Sequence, residues 1–173
     1  MTPGEKTWER DPAKAVPSLR QALALYAISD GKNWTTSLQS SALGTKQVDQ
    51  IRDVAYEVLL WLADDIRWRK QDHQSGQQLT SEAAAGKALA YLAQAKHAHP
   101  PTHAYYVRSA QCLKVLGKME AAQANTELAN KTAPSMPLDH YLLGLTAHDA
   151  KDRTLALKAF TAALDMEPTH YWS

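Results

Sequence analysis

Apolar positions along the chain recur in blocks that suit one-sided helices, separated by prolines, glycines and short polar runs. No segment shows the sustained apolar–polar alternation of a half-buried strand. The pattern predicts a first helix over Ser18 to Ser29, with Pro17 in its first turn and Gly31 past its end. "WTTSLQSSALG", from Trp34, reads as a short helix or turn. Thr45 is placed to cap a long helix reaching about Gln71, and Thr80 to cap "SEAAAGKALAYLAQAKHAH" after the loop "HQSGQQL". Pro100 and Pro101 end that helix. Further helices are expected at about Thr102–Leu116, Lys118–Thr132, Leu138–Ala150 and Arg153–Met166. Gly144 falls inside the third of these, where glycine costs roughly 1 kcal/mol relative to alanine.

The blocks repeat. Pro100, Pro134 and Pro168 are 34 residues apart, and so are Ala88, Ala122 and Ala156, and Ala95, Ala129 and Ala163. The last unit carries His140-x2-Leu143-Gly144-x2-Ala147, then Ala156-x3-Phe160-x2-Ala163, then Pro168. The middle unit departs from this at Ser109 and Thr126. An earlier unit aligns Tyr56, Leu59, Leu60 and Ala63 with Ala88, Leu92 and Ala95, but it needs about 16 extra residues between its helices. Its first helix is therefore expected to overrun. A helix–turn–helix period of 34 resembles the tetratricopeptide repeat. That resemblance implies an α-α superhelix of hairpins, with small side chains at Gly144, Ala147, Ala156 and Ala163 letting helix axes approach closely.

The expected organisation is an N-terminal helical extension over 1–44 and a degenerate hairpin over 45–101. Two repeats follow over 102–135 and 136–169, and 170–173 would start a further repeat. On this reading "PTHYWS" opens a fourth unit, leaving Phe160, Ala163 and Leu164 without a neighbour. Either a longer parent protein or self-association is then expected to cover them. The alternative is a lid made by Tyr171 and Trp172.

Composition narrows the classes. The 173 residues are 45% hydrophobic and 21% charged, which suits a folded soluble domain. The net charge of +1 argues against nucleic acid as a partner, and no apolar run approaches the roughly 18 residues of a membrane span. With one cysteine, Cys112, no internal disulfide forms, and a cytoplasmic location is expected.

The segments "ALALYAISDGKNW", "QIRDVAYEVLLWLADD", "ALAYLAQAKHAHPPTHAYYVRSAQCLKVLGKMEAAQA" and "LDHYLLGLTAHDAKD" are similar to the C-terminal repeat region of large bacterial serine/threonine protein kinases. The likeness covers about Leu19 to Ser173 and implies a scaffolding region of a signalling protein. The kinase's own Gly-rich loop, His-Arg-Asp and Asp-Phe-Gly motifs are not among these residues.

Candidate chemistry is sparse. Asp64 and Asp65 beside Arg67 and Arg69 read as a solvated, salt-bridged helix face rather than a magnesium site. Five histidines, at 97, 99, 103, 140 and 148, lack zinc spacing, and Cys112 reads as a small core residue. No catalytic group, metal or cofactor is expected. The superhelix implies a concave groove lined by the first helix of each unit. Its candidate residues are Arg108, Gln111, Tyr141, Leu145 and His148, over a floor of Val107, Val115 and Leu138. The carboxylate clamp of the co-chaperone branch would need Lys and Asn where this chain has Val107, Gln111, Leu138 and Leu142. The expected function is protein or peptide binding, with self-association through the C-terminal repeat face as the alternative.

Overall fold

The computed structural model describes residues 12–25, 28, 34, 38 and 42–168. Among these the chain is all-α, in seven helices: α1 (Pro12–Leu25), α2 (Thr45–Arg69), α3 (Ser81–Ala98), α4 (His103–Val115), α5 (Met119–Lys131), α6 (Pro137–Asp149) and α7 (Arg153–Met166). Short connections fold them into three hairpins, α2 on α3, α4 on α5 and α6 on α7. Packing between hairpins runs through α3 against α4 and through the first helices, α2 against α4 and α4 against α6. α1 lies on α2, and the Arg20 guanidinium donates to the His73 carbonyl at 2.7 Å.

The ends of these helices follow from local chemistry. Thr80 caps α3 as expected, its hydroxyl accepting from the Ala83 N–H at 3.2 Å. α2 begins differently: Gly44 takes the cap position, Thr45 is the first helical residue, and Gln47 reaches back to the Gly44 N–H at 3.1 Å. α1 starts at Pro12, six residues before the expected Ser18, so Pro17 lies inside it. The earlier proline takes the first helical position, where its lack of an N–H leaves nothing unsatisfied. Of the Trp34 segment, Trp34 and Leu38 are described and buried. Residues 1–11 and 169–173, with the expected fourth unit and the Tyr171–Trp172 lid, lie outside the described residues.

The 34-residue period reappears in the backbone. α4 closes with the Lys118 N–H on the Leu113 carbonyl at 2.9 Å and the Gly117 N–H on the Lys114 carbonyl at 3.1 Å. α6 closes the same way, Asp152 on Ala147 and Lys151 on His148, both at 2.9 Å. Each is the paired closure of a Schellman turn, which places one residue in the left-handed region. Gly117 fills that position with φ 70°, and 34 residues later Lys151 fills it with φ 63°.

The six alanines in register, Ala88, Ala95, Ala122, Ala129, Ala156 and Ala163, are all buried. Gly144 faces the ring of Phe160: a Cβ built on it would lie 2.5 Å from Phe160 Cε1 and 2.6 Å from Cδ1. The glycine is there because the ring occupies the space a side chain would need. Ala163 is buried, contrary to the expectation that it faces nothing, and Phe160 is half-buried with its ring against Gly144 of its own hairpin. Leu164 does stay exposed.

The main core centres on α2. Tyr56, Leu59, Leu60, Leu62 and Ile66 meet Ala85, Ala88, Leu92 and Ala95 of α3. α2 also overruns its partners, with 25 residues against 13 in each of α4 and α6. Aligned through Tyr56 and Tyr106, most of the surplus lies at its start, and only about one turn of it falls where the alignment placed the overrun, between the two helices of the hairpin.

Candidate functional site

The first helices of the three hairpins converge on one cleft of about 460 Å³. α2 supplies Asp64, Arg67 and Trp68; α4 supplies Arg108 and Gln111; α6 supplies Leu145, Thr146 and Asp149. Three of the sequence-predicted groove residues, Arg108, Gln111 and Leu145, therefore share a wall. Tyr141 is not in this lining. Its ring packs at 5.8 Å from that of Phe160, at an interplanar angle of 50°, in the α6–α7 interface. His148 is exposed outside the lining, 3.8 Å from the Asp149 carboxylate. Of the expected floor, Leu138 is core, Val115 is exposed, and Val107 lines a smaller adjoining space of about 60 Å³.

Charge organises the floor. Arg108 is only 3% exposed. Its Nε lies 2.8 Å from Asp64 Oδ1, and Arg67 Nη2 donates to the same oxygen at 3.0 Å. Two guanidinium groups thus share one carboxylate oxygen across two hairpins. Burial pulls the Arg108 pKa down, and the Asp64 charge opposes that pull. The hydrogen bonding around them is thin. Arg108 Nη1 reaches Gln111 Oε1 at 3.3 Å and Thr146 Oγ1 at 3.4 Å, both long. The Nε atoms of Arg67 and Arg108 are buried with no hydrogen-bond partner; Asp64 Oδ1 lies 2.8 Å from Arg108 Nε but off its N–H direction.

Asp64 overturns one sequence expectation. The sequence pattern places it with Asp65 on a solvated face, yet Asp64 is 7% exposed and lies under Arg108. A helix wheel cannot show this, since the partner that covers Asp64 arrives from a helix some forty residues later. Asp65 is drawn away from the cleft by Arg69 at 2.8 Å and His73 at 3.0 Å. At the rim, the Trp68 indole is 60% exposed, with the Arg67 guanidinium 5.0 Å from its ring centroid.

A second polar cluster escaped sequence reasoning. Asp139, 1% exposed, accepts from Thr102 Oγ1 at 2.6 Å and the Ala104 N–H at 3.0 Å through Oδ1. Through Oδ2 it accepts from the N–H groups of Ser135 at 3.0 Å and Met136 at 3.3 Å. Tyr56 completes the chain, donating to Thr102 Oγ1 at 3.0 Å and accepting from the Thr102 N–H at 2.9 Å. The signal was available: an acidic residue three positions after Met136, at the start of a helix with Pro137 first, can reach back to the cap N–H, the half of a capping box that Asp139 supplies.

Other titratable groups have local uses. His103 Nδ1 lies 3.0 Å from the carbonyls of Ala129 and Thr132 at the end of α5. Cys112 is buried, and that burial pushes its thiol up to about 11, away from nucleophilic character. No cluster of three metal-ligating side chains occurs among the described residues, and none of their helices is long and apolar enough to cross a membrane. Comparison with protein-family models, curated proteins and solved structures finds no match.

Proposed function

We propose that this chain is a non-catalytic protein-interaction module of the tetratricopeptide type, which holds a partner segment in the cleft between α2, α4 and α6. The observation that carries the reading is the convergence of three first helices on one cleft. An exposed indole and Leu145 there supply apolar contact, and Arg67 and Arg108 supply orientation. Support for the repeat type comes from the recurrence, at 34 residues, of the left-handed turn residue and of the buried alanines. The proposed setting is a larger signalling chain, as the likeness to kinase-linked arrays implies.

Selection from a phage-displayed library of random dodecapeptides tests this. Enriched peptides should bind the wild-type chain and lose most of that binding to Trp68→Ala and Leu145→Asp. Undiminished binding to both variants removes the cleft from the proposal.

One observation favours self-association as a second reading. Leu157, 70% exposed, and Leu164 stand seven residues apart on the outer side of α7. Light scattering decides: a mass that rises with concentration, and stops rising in Leu157→Lys/Leu164→Lys, supports it. A constant 19.1 kDa removes it.

A further inference from the structure

We propose that the cleft selects partner segments carrying an aspartate or glutamate side chain, whose carboxylate seats between Arg67 and Arg108 opposite Asp64. This rests on the reading of the cleft as a peptide groove and names the chemistry that it recognises.

The first argument is charge. Two guanidinium groups face one buried carboxylate, so the floor holds one positive charge in excess. Asp149 lies at the rim with its side chain 54% exposed, where water screens it. A singly charged anion balances the floor. A phosphoryl group, at roughly −1.5 to −2, would overshoot that balance and meet the buried Asp64. A neutral amide offers one acceptor oxygen where a carboxylate offers two, and its NH2 must face one of the guanidinium donors.

The second argument is unsatisfied donors. Arg108 is almost fully buried, yet its Nε lacks an aligned acceptor and its Nη1 makes only two long hydrogen bonds. Buried polar groups are ordinarily paired, and Arg108 lines the cleft, so its weakly satisfied terminal Nη1 marks the place of an external acceptor. A carboxylate is the acceptor whose two oxygens suit the planar fork of arginine. Trp68 then offers its exposed surface to an apolar residue flanking the acid.

The test titrates the full chain, by fluorescence polarisation, with labelled hexapeptide pools blocked at both ends. The flanks are randomised and one central position is fixed as Asp, Glu, Asn, Gln, phosphoserine or Lys. The Asp and Glu pools should bind at least about tenfold more tightly than the Asn and Gln pools. Arg67→Gln should erase that preference while its melting curve shows the chain still folded, because Arg108 keeps Asp64 paired. Equal binding of acid and amide pools overturns the proposal and leaves the peptide groove standing. Tighter binding of the phosphoserine pool overturns the choice of a singly charged ligand, and therefore the proposal. Binding by none of the pools overturns the groove and this inference together.

Discussion

Gly144 shows how one residue encodes a contact that no helix propensity would favour. Phe160 fills the space beside it, so Gly144→Ala drives a methyl group into the ring. The ring must tilt, which disturbs its packing with Tyr141. The expected loss is about 1–3 kcal/mol in denaturant unfolding, partly recovered in Gly144→Ala/Phe160→Leu. A silent Gly144→Ala would mean that the ring is not held there. Lys151 makes the converse case. It holds a left-handed backbone that its 34-residue counterpart meets with glycine, so Lys151→Gly should stabilise by a few tenths to about 1 kcal/mol, read from the same unfolding curves. The glycine in the helix was visible in the sequence as an oddity, whereas the lysine was not. Nothing in a lysine announces a left-handed turn until the closure of α6 is seen. The cleft residues divide on similar lines. Repeat position pointed to Arg108, Gln111 and Leu145, but Arg67 and Trp68 belong to the part of α2 that no repeat describes.

At the scale of the helices, the last four spans read from apolar spacing and prolines end within a residue or so of those observed, and α7 matches at both ends. Proline and alanine act locally there, and local signals are what a sequence displays. The start of α1 was misplaced because two prolines compete for its first turn. What the spacing could not display is the joint between helices, and Asp139 is the clearest case. It receives hydrogen bonds from the N-terminal ends of both α4 and α6, and Thr102 passes the connection on to Tyr56 in α2. Asp139→Asn keeps one acceptor but turns an amide N–H group toward either Thr102 and Ala104 or Ser135 and Met136. Urea unfolding should report a loss on the order of 2–4 kcal/mol, and an unchanged midpoint would mean that the network carries little stability.

For the molecule as a whole, the described surface carries a pH lever. Burial pushes Glu57 up to about 7 from 4.5, helped by the charges of Glu167, Asp53 and Asp139. The folded state therefore binds a proton that the unfolded chain has released. The favourable contribution is full below about pH 4.5 and is lost as pH rises through 7. The wild-type melting temperature should fall relative to that of Glu57→Gln between pH 5 and pH 8, and parallel curves would remove the effect. The length of α2 bears on the molecule differently. Aligned through Tyr56 and Tyr106, α2 starts about two turns before α4 does and outlasts it by about one. Arg67 and Trp68 sit in that surplus turn. A strictly uniform array would leave the same spot open to water on one side. On the proposed reading of the cleft, specificity grows out of the array's irregular member, and a descendant that trimmed α2 to match its neighbours would keep its shape and forget the partner proposed for it.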